Sequence, residues 1–322
     1  MDEIENLVYK YFIVKDEFHI ENGYEFEVID HDSFDFKKTF TNFYNVIKET
    51  NYIPKLEKHG SNYILQVVKK SSVTPKNSFY RVLFLIASFG SIIMDGYFRF
   101  GSYSEYMLAY EAPILAMLVL HESSKYIISY LKKEKHLNSY SIPGIPGIIP
   151  FMGFITTGTD STINRDSLFD EAFYPYLAAL LGVIAFLIFS LRINISFSKQ
   201  LTKPFLNGFL NGIFNNKNLF LEGSTVGITI LFINFLPATS VDGGFLISSL
   251  EKSSLVLDLI SIIIMSFLGY FLFALAVIFV QNVHKIELLD SVSPLSKGRK
   301  IVYVICFVTI IALFIMFGSL GT

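Results

Sequence analysis

The chain has one cysteine, Cys306, among its 322 residues. That excludes an intrachain disulfide framework and any Cys-x-x-Cys zinc or redox site. It has no tryptophan, so Phe and Tyr must supply any aromatic belt at a membrane surface. Charge is scarce too: 17% of residues are Asp, Glu, Lys or Arg, against about 25% in soluble domains. The formal net charge of −2 removes an overall electrostatic case for nucleic-acid binding, which needs a basic face. What fills the space is apolar. Hydrophobic residues make up 52% of the chain, and the mean hydropathy is +0.49. A soluble domain of this size needs more surface charge, so the expectation is an integral, multi-pass α-helical membrane protein.

The opening residues, MDEIENLVYKYF, are acidic and lack a long apolar core. No secretory leader is expected, and the first membrane segment is expected to do the targeting. Charge is concentrated in residues 1–76. The reading is a soluble α+β cap domain at 1–70, a basic Pro-containing linker at 71–78 and a membrane-embedded domain at 79–322. In the cap, alternating runs at Leu7–Phe18 and Tyr24–Ile29 flank the turn signal Glu21-Asn22-Gly23. A helix capped by Asp32 or Ser33 follows, its apolar face formed by Phe36, Phe40, Phe43, Val46 and Ile47. Two short strands near Tyr52–Leu56 and Tyr63–Val68 are joined through His59-Gly60-Ser61. Either a packing role or a regulatory, substrate-contacting role is open for this cap.

The remainder offers about six spans of ~20 residues, near 79–98, 107–131, 170–192, 224–245, 255–281 and 300–318. Between the second and third lies SYSIPGIPGIIPFMGFITTGT, which is apolar but broken by Pro143, Pro146 and Pro150. Those prolines forbid a continuous helix. Such backbone is tolerated at membrane depth only when buried in protein or lining a cavity, so a re-entrant or extended segment is expected there. Lys and Arg divide evenly between the loops on the two sides, and the positive-inside rule gives no orientation.

Ionisable groups inside apolar spans are costly and default to functional hypotheses. The second span, APILAMLVLHESSKYIISYL, carries His121, Glu122 and Lys125. His121 and Lys125 are four residues apart and share a helix face. The fourth span, TVGITILFINFLPATSVDGGFLI, carries Asn234, Pro237 and Asp242. Pro237 and Gly243-Gly244 should unwind it and let backbone approach a neighbour. One shared buried site satisfies these groups better than leaving each unpaired in lipid. A structural ion pair between Lys125 and Asp242 or Glu122 would do so as well.

HESSK on an apolar helix is similar to the His-Glu-x-x-His motif of zinc metalloproteases. NFLPATSVDGG resembles the Asn-x-x-Pro and Asp-Gly motif of the site-2 protease family of intramembrane metalloproteases. GFITTGTDSTINRDSLFDEAFYP and DSVSPLSKGRK resemble further segments of that family, the latter of its archaeal and plastid branch. The resemblance covers most of the chain. It implies His121 and Asp242 as zinc ligands, Glu122 as the general base, and Gly153, Phe154 and Ile155 as a strand that holds an unwound substrate helix. Asn234, Pro237, Gly243 and Gly244 would support the site. The chain departs from the family at the second histidine, where Lys125 stands. A catalytic zinc normally has three protein ligands and a water, and an ammonium at a ligand position repels the metal. Phe173 and Tyr174 replace small residues before the third core helix, and Phe245 follows Gly243-Gly244 where relatives commonly carry a polar residue.

Three readings are open on sequence alone. The first is an active intramembrane metallopeptidase with zinc and an unidentified third ligand. The second is a metal-free pseudoprotease that binds a membrane-spanning substrate or client helix. The third is a transporter with a midplane polar site.

Overall fold

A computed structural model describes residues 3–29, 35–70, 78–101, 104–132, 138–157, 161–196, 218–251, 255–281 and 287–319. Asp32, Ser33 and residues 71–77 of the expected linker lie outside the described residues. The elements are α1 (Glu3–Tyr11), β1 (Val14–Ile20), β2 (Gly23–Val28), α2 (Phe36–Ile47), β3 (Tyr52–His59), β4 (Asn62–Lys69), α3 (Ser78–Phe100) and α4 (Ser104–Lys132). They continue with β5 (Asn138–Ile145), β6 (Ile149–Thr157), α5 (Arg165–Ser190), α6 (Leu219–Asn234), α7 (Asp242–Ser249), α8 (Leu255–Phe267), α9 (Phe271–Gln281) and α10 (Lys297–Ser319). The chain forms two units, one of residues 1–76, 160–168 and 286–296, the other of 77–159, 169–285 and 297–322.

The small unit is a four-stranded antiparallel sheet, order β1-β2-β4-β3, packed against α1 and α2. Phe26 and Val28, Leu56, and Leu65 and Val67 alternate inward from three strands, the period of a half-buried sheet. Phe36, Phe40, Phe43 and Ile47 of α2 close over them, each full burial contributing about 1.5–3 kcal/mol. Three local expectations change. Leu7–Tyr11 is helix rather than strand, because Ile4 and Val8 bury at helical spacing. The cap of α2 is Asp35, whose side chain accepts from Lys38 N at 3.2 Å. Val46 of the expected helix face is exposed.

Two segments far along the chain complete this unit. Leu56 N donates to Leu289 O at 2.6 Å and Ser291 N to Leu56 O at 3.1 Å. Leu289 N and Asp290 N donate in turn to Thr162 O and Ile163 O. Residues 287–291 thereby cover the outer edge of β3, which would otherwise present unpaired backbone. Asp290 is buried and its Oδ1 accepts from Val292 N and Ser293 N. The stretches STINRDS and DSVSPLS, read separately in the sequence, therefore meet through backbone pairing, through Arg165 Nη1 to Ser293 O at 2.8 Å, and through Ser296 N to Asp166 Oδ1 at 2.9 Å.

The large unit is mostly helical. Three helices among the described residues are long and apolar enough to cross a membrane: Phe79–Phe100, Arg165–Ser190 and Lys297–Met316. About six spans are expected from the sequence; three helices of that length and apolarity stand among the described residues, with shorter apolar helices at Leu219–Asn234, Leu255–Phe267 and Phe271–Val280. Helix α4 has the length but carries charge along it. The fourth expected span breaks at Phe235–Val241 into α6 and α7. The fifth breaks at Leu268-Gly269-Tyr270 into α8 and α9, with Gly269 at φ +85°, a backbone state that glycine adopts without strain. Many large apolar side chains of this unit are exposed, among them Leu255, Leu259 and Ile263 of α8 and Ile301, Ile305 and Val308 of α10. Soluble monomers rarely expose apolar surface on this scale. The proline-broken segment is extended, as expected: β5 and β6 pair antiparallel from Asn138↔Thr157 to Ile145↔Ile149.

Candidate functional site

The break between α6 and α7 is a tight backbone turn. A Cβ on Gly243 would overlap the Phe235 and Leu236 carbonyls, and one on Gly244 would overlap the Ala238 carbonyl. Only glycine allows the chain to fold back this closely. Thr239 holds the turn from outside, its N and Oγ1 donating to Asp258 Oδ1 of α8 at 2.9 and 2.8 Å. Pro237 lies inside the turn, where no helical N–H is needed. Asp242 consequently starts α7, its carboxylate at the positive end of the helix dipole.

Strand β6 is fixed beside this turn. Asn234 Oδ1 accepts from Phe154 N at 2.9 Å, and Ser240 O accepts from Thr156 N at 2.8 Å. Gly153 has φ +134°, and a Cβ there would overlap the Asn234 amide. Asn234 is itself held by its Nδ2 donating to Ile230 O at 2.9 Å. The amides of residues 154 and 156 are therefore already taken. Adding a substrate strand along Gly153, Phe154 and Ile155 requires Asn234 and Ser240 to let go.

Four expected residues converge. His121 Nε2 donates to Asp242 Oδ2 at 2.8 Å, and the His121 ring stacks on Phe154 at 3.5 Å between centroids. Lys125 Nζ donates to Thr156 Oγ1 at 3.1 Å and lies 3.7 Å from Asp242 Oδ1. Glu122 Oε1 lies 3.5 Å from His121 Nδ1 and accepts from Ser141 Oγ at 3.3 Å. Glu122 Oε2 accepts from Arg81 Nη2 of α3 at 3.2 Å. All of these charged groups are nine-tenths or more buried. Two cations, Arg81 and Lys125, thus face two carboxylates, Glu122 and Asp242, around a His121 that donates from Nε2.

Zinc does not fit this arrangement. His121 and Asp242 supply two donors, and their facing atoms are 2.8 Å apart, closer than the roughly 3.3 Å between ligands of a tetrahedral zinc. Lys125, at the position where the resemblance implies a second histidine, carries a group that donates rather than accepts. A divalent ion would add two uncompensated positive charges to a buried set that already balances. His121, Glu122 and Asp242 do not bring three donor atoms within 4.8 Å of one another; among the described residues only Glu5, Glu17 and His19 of the small unit do so. His31, His136 and His284 lie outside the described residues.

Sequence reading missed Arg81, Ser141 and Thr156 as partners of this site. It also missed a second buried group on the same helices. Asp95, in the last turn of the span expected near 79–98, is fully buried inside α3. Arg99 Nε donates to Asp95 Oδ2 at 2.6 Å, and Gly147 N to Asp95 Oδ1 at 2.7 Å. The Arg99 guanidinium sits 5.3 Å from the Tyr110 ring centroid. Glu111 of α4 and Glu222 of α6 are buried within electrostatic reach of Asp95 and Arg99 respectively. Among the described residues, Glu111 Oε1 and Glu222 Oε2 have no hydrogen-bond partner. Glycine makes room here as well: a Cβ on Gly96 would overlap the Glu111 carboxylate.

Comparison with known protein families, curated proteins and solved structures finds no match to this chain.

Proposed function

We propose that the chain is an integral, multi-pass membrane protein related to the site-2 proteases, in which an internal ion-pair network replaces the zinc centre. It binds a membrane-spanning segment of a client protein and does not hydrolyse it. The observation that carries the reading is Lys125, whose ammonium reaches both Thr156 Oγ1 and Asp242 Oδ1 on the face where a second histidine ligand would stand. The extended hairpin β5–β6 and the unwound turn between α6 and α7 supply irregular backbone beside that face, the kind of structure membrane proteins keep where a segment or cavity is lined.

The test uses purified full-length protein in lipid nanodiscs. It is incubated with zinc, then with a strong chelator, and assayed for metal content and thermal midpoint. The proposal expects no stoichiometric zinc and an unchanged midpoint. About one equivalent of zinc, removed by His121→Ala, overturns it. A transporter is the second reading, favoured by the acid-rich group of Asp95, Glu111 and Glu222. Ion flux into liposomes that Glu222→Gln abolishes would move the conclusion there.

A further inference from the structure

The three donors that do converge belong to the small unit and come from two consecutive elements. Glu5 stands in α1, and Glu17 and His19 stand in β1. Residues two apart on a strand project from the same side of the sheet, so Glu17 and His19 share one. Their ladder partners show which. Glu17 lies across from Phe26 and His19 from Tyr24, and Phe26 is fully buried in the core formed with the helices. Both side chains therefore project on the helix side of the sheet. One ligand atom from each of Glu5, Glu17 and His19 lies within 4.8 Å of the other two.

Neighbouring side chains hold the set in place. Tyr9 stands four residues after Glu5 on the same face of α1, and its hydroxyl donates to Glu17 Oε2 at 3.0 Å. That bond orients the carboxylate and uses one oxygen, leaving the other for a ligand. A partner of this kind behind a ligating carboxylate is part of how metal sites are built. The Tyr9 ring meets Phe26 edge-on at 6.5 Å, and the His19 ring meets Tyr24 at 5.4 Å. Access is open, because β1 is an outer strand of its sheet and His19 is exposed. The donors are two carboxylates and one imidazole. Calcium takes six to eight oxygens, whereas an imidazole nitrogen suits the first-row transition ions.

We propose that Glu5, Glu17 and His19 bind one divalent first-row transition ion, of the manganese-to-zinc series, with water completing its shell. The half-exposed side chains draw in from 4.8 Å to the roughly 3.3 Å that separates ligands around such an ion. The bound ion ties α1 to the outer strand of the sheet. With three protein donors at an exposed edge, it exchanges with solvent and washes out on desalting. The site lies wholly within the small unit and depends neither on the membrane placement nor on the state of the His121 station.

The test titrates Mn²⁺ into tag-free full-length protein in phosphatidylcholine nanodiscs. Electron paramagnetic resonance reads the free ion, so binding is counted at equilibrium, with empty nanodiscs as the blank. One bound ion per chain is expected. His19→Ala abolishes binding, and Glu17→Gln, which keeps the shape of the side chain, weakens it by more than about tenfold. Both positions stand on the outer strand, and the ion-free thermal midpoints of both variants match wild type. Tyr9→Phe, which removes no ligand, weakens binding about tenfold. His59→Ala leaves it unchanged, because His59 and Glu57 face each other at 3.2 Å without a third donor. An excess of Ca²⁺ of about tenfold leaves the Mn²⁺ in place. No bound ion, equal binding by wild type and His19→Ala, or one-for-one displacement by Ca²⁺ overturns the proposal.

Discussion

Helix α4 carries two buried polar stations about 16 Å apart along its axis, and they are built on opposite principles. At the His121 station, Arg81 and Lys125 match Glu122 and Asp242 one for one. At the Glu111 station, Arg99 pairs with Asp95, Glu222 lies within reach of Arg99 and Glu111 within reach of Asp95, and among the described residues Glu111 Oε1 and Glu222 Oε2 have no hydrogen-bond partner. Burial is equal in the two, so burial alone does not mark a working or vestigial centre. Charge balance separates them. On the proposed reading, a metal centre that loses its ion must either gain an internal cation or lose an acid, since an uncompensated buried carboxylate is costly, and Lys125 is proposed as that cation.

The largest effect should come from removing it. Lys125→Met leaves Asp242 without its ammonium and should destabilise the protein by about 3–5 kcal/mol, the usual result of breaking a buried pair from one side. Equilibrium unfolding in mild detergent checks this, and a change under about 1 kcal/mol would dissolve the contrast between the stations. Glu122→Gln should cost about 1.5–3 kcal/mol, because it removes the charge-assisted bond from Arg81. Glu222→Gln, the parallel change at the other station, should lie within about 0.5 kcal/mol of wild type or on the stabilising side, since Oε2 has no partner to lose. Equal losses from the two Glu→Gln variants would mean that charge balance is not the distinction.

The smallest effect is expected away from both stations. Lys55 on β3 pairs with Glu287 at 2.5 Å and Glu57 at 2.9 Å. The Lys55 ammonium and then His59 hold the Glu57 carboxyl below its ordinary range. A lowered carboxyl pKa gives stability that is present above the unfolded-state value and lost as pH falls through the folded one. Because the group is solvent-screened, Lys55→Met should cost under about 1 kcal/mol near neutral pH. The deficit should vanish once acid has protonated Glu57, as thermal midpoints across an acid series would register.

Much of the His121 station was legible because its residues contradict their surroundings. His121, Glu122, Lys125, Asn234 and Asp242 interrupt apolar runs; the fold brings four of them to β6 or the turn beside it, and Glu122 to His121 and to Ser141 of β5. Their partners were not legible. Arg81 stands near the start of α3 and reads as an interface residue until Glu122 is seen opposite it. Thr156 lies in a strand buried on both faces, where alternation carries no signal. Asp95 reads as a helix end, but Arg99 one turn later neutralises it and lets α3 run on to Phe100. Gly269 breaks the fifth apolar run with one residue in a left-handed conformation, which mean hydropathy does not register. The edge of β3 is completed by residues more than 230 positions away, a pairing that no local window contains.

The central claim is that Lys125 occupies the place of a metal ligand and its charge the place of the metal. Zinc stoichiometry of wild type and Lys125→His, measured side by side after identical loading and desalting, tests it most directly. The account predicts no retained zinc in wild type and about one equivalent in Lys125→His, held by His121, the new histidine and Asp242. Equal zinc in both proteins, or none in Lys125→His while it remains folded, would contradict it.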